Sequence, residues 1–147
     1  MVKKPLSIRI EEKLLEGLNG LIPNEGATTT YKIEALLKMN MLNYNKALKS
    51  LIGNFTYLET CYMAQALNGT IIQRDIVSTV EYLYTQVSDF HAFGSMGFIS
   101  DEEVDIDTLL NKLENLTDYQ ALAVLNSIEE FWNSDDKDIN DLIIVSK

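Results

Sequence analysis

The sequence predicts a mostly α-helical protein in two parts. Residues 1–44 form a small module of one short strand and two helices. Residues 45–147 form an acidic α-helical domain. Three observations carry this expectation: a period-two apolar pattern near the N-terminus, helical apolar spacing through most of the rest, and a sharp division of charge. The first 50 residues hold eight Lys/Arg against five Glu, a net +3. The remainder holds four basic residues against seventeen acidic ones, a net −13. Such asymmetry suggests a basic segment with an anionic partner and a soluble acidic body.

Leu6, Ile8 and Ile10 alternate with Ser7 and Arg9. That alternation is the signal of a strand with one buried face. Pro5 cannot donate a ladder hydrogen bond, so it marks a strand start or edge. From Glu11 to Ile22 the spacing turns helical, with Leu14, Leu18, Leu21 and Ile22 on one face. Glu11 and Glu12 suit the first turn, where the helix dipole favours acids. Gly17 and Gly20 weaken this helix by roughly 1 kcal/mol each relative to alanine. Pro23 ends it, and Asn24-Glu25-Gly26 reads as a turn.

Thr28 is a suitable N-cap for the next helix. Its stripe runs through Ile33, Leu36, Leu37, Asn40, Met41, Tyr44 and Leu48, then continues from Leu51 to Leu67. The pattern fits one long helix, or two broken near Asn43–Asn45 or Gly53. Ile76, Val80, Leu83, Val87 and Phe90 predict a further amphipathic helix. Ser100 with Glu103, and Thr117 with Gln120, have capping-box spacing. The helices they open carry Ile106, Leu109, Leu110 and Leu113, then Leu122, Leu125, Ile128 and Trp132. Trp132 reads as a core anchor. Leu142–Val145 is a short apolar tail after a polar, acidic break.

The composition excludes several functions. Cys61 is the only cysteine and His91 the only histidine, which leaves no intramolecular disulfide, no zinc cluster and no obvious Cys–His pair. No metal or other cofactor is expected. Asp136-x-Asp138-x-Asn140 mimics the start of a calcium loop, but Asp141 stands where glycine is needed and Lys147 where the bidentate Glu belongs. Gly94-x-x-Gly97 follows no strand and is no phosphate loop. Cys61 lies on an apolar helix face, and the acidic pairs read as solvated faces. Nothing points to an enzyme. No apolar run reaches the roughly 18 residues of a membrane helix. No signal peptide is evident, so the three Asn-x-Thr sequons carry no weight and a cytoplasmic location is expected.

A lone strand cannot satisfy its own backbone groups. It pairs either with Leu142–Val145 or with a second copy. The order of features in residues 3–42 resembles the ribbon-helix-helix family, the Arc, MetJ and CopG type of DNA-binding protein. The features are Lys3-Lys4-Pro5, the alternation from Leu6 to Ile10, a helix beginning Glu11-Glu12-Lys13-Leu14-Leu15, the turn Glu25-Gly26-Ala27, and a Thr-capped helix from Thr28 through Leu37. The resemblance implies a dimer, or a higher even oligomer, whose two-chain ribbon enters the major groove of DNA. It assigns Leu6, Ile8, Ile10, Leu14, Leu18, Ile33, Leu36 and Leu37 to the dimer core. Pro5, Ser7 and Arg9 would then face the bases, with Arg9 bidentate to guanine. Pro5 departs from the family pattern, where a polar or basic reader is usual. Lys3 and Lys4 would meet phosphates. The start of the second helix, with Thr28, Thr29, Thr30 and Lys32, would clamp the DNA backbone.

The expected function is a dimeric, sequence-specific transcriptional repressor, an autorepressor of the mobile-element type. Two rivals are an antitoxin-like module whose acidic domain grips a protein partner, and an accessory relaxosome or partition protein.

Overall fold

The computed structural model describes residues 2–23, 26–68, 79–95 and 103–147. The chain divides into two compact units, Met1–Leu42 and Asn43–Lys147.

In the first unit, residues 2–11 have no regular secondary structure. Helix α1, Glu12–Leu21, begins where the Glu11 carbonyl accepts from the Leu14 and Leu15 amides. It ends with the Ile22 amide on the Leu18 carbonyl, just ahead of Pro23. Helix α2 spans Thr29–Ser50, so its last two turns belong to the second unit. Thr28 caps it as expected, its Oγ1 accepting from the Tyr31 amide at 3.2 Å.

The expected N-terminal strand is absent, and with it the ribbon-helix-helix fold. Every described residue of this protein lies outside any named strand or sheet, and the architecture is helical. The physical reason lies in pairing. Alternation says which side chains would share a face, but a ladder needs a second backbone. The chain's one internal candidate for that role, the tail at Leu142–Val145, is engaged elsewhere. Without strand geometry nothing places Leu6, Ile8 and Ile10 opposite Pro5, Ser7 and Arg9, and all six are exposed.

The second unit has a continuous apolar core. After α2 the chain turns through Gly53, whose φ of +66° is a conformation glycine adopts freely. Then come α3 (Tyr57–Ala66), α4 (Thr79–Asp89), α5 (Ile106–Glu114) and α6 (Asp118–Trp132). A single π-helical turn, Phe90–Gly94, extends α4. The stripe after Thr28 is therefore two helices, and the break falls at Gly53 rather than Asn43–Asn45. Leu83 and Val87 of α4, Leu109 and Leu113 of α5, and Val124 and Ile128 of α6 are fully buried. α4 packs against both α5 and α6. The Thr117–Gln120 capping box forms as its spacing predicts. For α5 the N-cap is Asp105, whose carboxylate accepts from the Thr108 amide. Ser100 and Ile76 lie outside the described residues.

The tail closes this core. Ile144 is fully buried, and Val145 forms an isolated parallel bridge with Phe55. The Phe55 amide donates to the Ile144 carbonyl at 2.9 Å, and the Ser146 amide donates to the Phe55 carbonyl at 2.7 Å. A polar bolt stands beside it. Thr56 and Glu59 form a capping box at the start of α3. The buried Glu59 carboxylate also accepts from Lys112 Nζ at 2.8 Å, and Lys112 donates to the Asn54 carbonyl at 3.0 Å. Trp132 is less deeply placed than expected. It is 44% exposed and fixed by its indole N–H on the Ala64 carbonyl at 2.9 Å. Among the described residues no helix is long and apolar enough to cross a membrane.

Candidate nucleic-acid interface

The basic residues expected to meet DNA sit at the start of the chain. Residues 1–10 contain Lys3, Lys4 and Arg9 and no acid. Lys3, Lys4, Pro5, Ser7 and Arg9 are all exposed, as is Lys13 in the first turn of α1. Lys3 lies 3.7 Å from a Glu34 carboxylate oxygen, the Lys3 side chain largely in water and that of Glu34 half-buried. A surface pair of this length contributes at most about 1 kcal/mol, so a phosphate can displace it. Lys4, Arg9 and Lys13 make no ion pair among the described residues.

The start of α2 is more divided. Thr29 and Thr30 are exposed in its first turn, where unpaired amides and the helix dipole favour anions. Thr28 has its hydroxyl oxygen committed to capping. Lys32 points inward. It is only 6% exposed, and its Nζ donates to Asn19 Oδ1 of α1 at 2.9 Å. It ties α1 to α2 rather than presenting charge outward. The signal was available: Lys32 precedes Leu36 by four residues and so shares its inward face.

The residues assigned to a dimer core behave in two ways. Leu18 is buried, and Ile33 and Leu36 are half-buried. Leu6, Ile8, Ile10, Leu14 and Leu37 are exposed, Leu6 by 82%. Leu18 is the one buried apolar side chain among the described residues of this unit, against eleven large apolar side chains that are exposed.

Elsewhere the chemistry is quiet. Burial pushes the Cys61 thiol above its ordinary range, with a hydrogen bond from Tyr57 pulling the other way. A thiol in that state is a poor nucleophile at neutral pH. His91 Nδ1 lies 3.2 Å from the Tyr62 hydroxyl. Among the described residues, no group of three or more His, Cys, Asp or Glu is placed to hold a metal ion. Against known proteins, the chain matches no family model, no curated protein and no solved structure.

Proposed function

We propose that the first unit is a DNA-binding module that works as a homodimer, and that the protein is a sequence-specific transcriptional repressor. One observation carries this reading: among its described residues, a unit of 42 residues buries one apolar side chain and exposes eleven, and its first ten residues carry three cations and no acid. A body this small rarely holds a core alone and usually depends on disulfides, metals or association. The only cysteine lies in the other unit. Association is left. A second copy is the partner that supplies a matching apolar face, and it doubles the three cations of residues 1–10.

In this reading Lys3, Lys4 and Lys13 meet phosphates, which position the dimer without reading sequence. Arg9 reads a base edge, its guanidinium suited to guanine O6 and N7. Ser7 adds an adaptable donor and acceptor. Thr29 and Thr30 offer hydroxyls and amides to the backbone. Repression is steric: the bound dimer covers its promoter site.

Arg9→Ala is expected to cost about 1–3 kcal/mol of specific affinity and to relax sequence preference. Lys4→Ala is expected to weaken all duplexes nearly alike. It should also flatten the dependence of log K on log salt by about 1.8, since each dimer loses two phosphate contacts. Fluorescence anisotropy on labelled duplexes over a salt series reads both. Equal specific affinity for wild type and Arg9→Ala would remove Arg9 from the interface. Sedimentation equilibrium tests the dimer: the wild type should sediment as two chains, and Leu14→Glu should shift it toward one. A wild-type monomer at tens of micromolar contradicts the proposal.

A further inference from the structure

We draw no further inference here: the strongest candidate, the polar cleft of about 330 Å3 lined by Ser50, Asn54, Asn111, Lys112, Asn115 and Gln120 where α5 meets the start of α6, carries nothing because Ser50, Lys112 and Gln120 are already bonded within the protein and nothing in the structure shows what would fill it.

Discussion

Phe55→Ala is expected to destabilise the second unit by about 3–5 kcal/mol, the usual cost of deleting a fully buried aromatic ring. Phe55 is completely buried, and its amide and carbonyl both bond to the tail. The site has little freedom to collapse. The tail is held parallel to it, Thr56 is fixed as the cap of α3, and Lys112 sits 5.7 Å from the ring centroid. The cavity therefore stays open, which places the cost at the upper end of the range. Trp132 is the only tryptophan and lies in this unit, so its fluorescence follows unfolding of this unit in urea. A loss under about 1 kcal/mol would mean that the Phe55 site repacks and that the tail is not locked to it.

Lys112→Met has the next largest expected effect. It removes the ammonium from a carboxylate that is already out of water. The Glu59 side chain is 7% exposed and that of Lys112 is 29% exposed. Breaking a buried pair from one side typically costs 3–5 kcal/mol, and the partial exposure of Lys112 sets the expectation at about 3. Glu59→Gln in the Lys112→Met background should recover part of the loss, because no charge is then left buried. A double-mutant cycle measures the coupling. Additive single losses would show that the pair contributes nothing of its own.

The helices of the second unit were legible because their burial repeats locally. Leu83 with Val87, and Leu109 with Leu113, are four apart and both buried, as an amphipathic helix requires. Thr117 with Gln120 is equally local, and it forms the expected cap. Thr56 with Glu59 has the same spacing and also forms a capping box, a signal present in the sequence and not read. The Lys112 contribution to it was not legible, because residues 53 positions apart carry no spacing rule. The tail is a similar case. An apolar run of four fits a strand, a turn or a buried end, and its partner Phe55 is far away in sequence.

The N-terminal arm shows the opposite limit. Leu6, Ile8 and Ile10 have perfect alternation, yet no ladder forms, because alternation is a property of one segment and pairing a property of two. Of the proposed site, the exposed cations were legible from charge alone. For Lys32 the spacing from Leu36 gave its inward face, but not its partner Asn19 on α1, thirteen positions away.

Selection from a random duplex DNA pool by the full chain at physiological salt, read by sequencing, tests the central claim most directly. Enrichment of one short inverted or direct repeat by the wild type, weakened and blurred by Arg9→Ala, is the predicted result. Its position in the source genome then distinguishes a promoter from an origin of transfer or replication. A pool that emerges without an enriched sequence would contradict specific DNA recognition by the N-terminal unit.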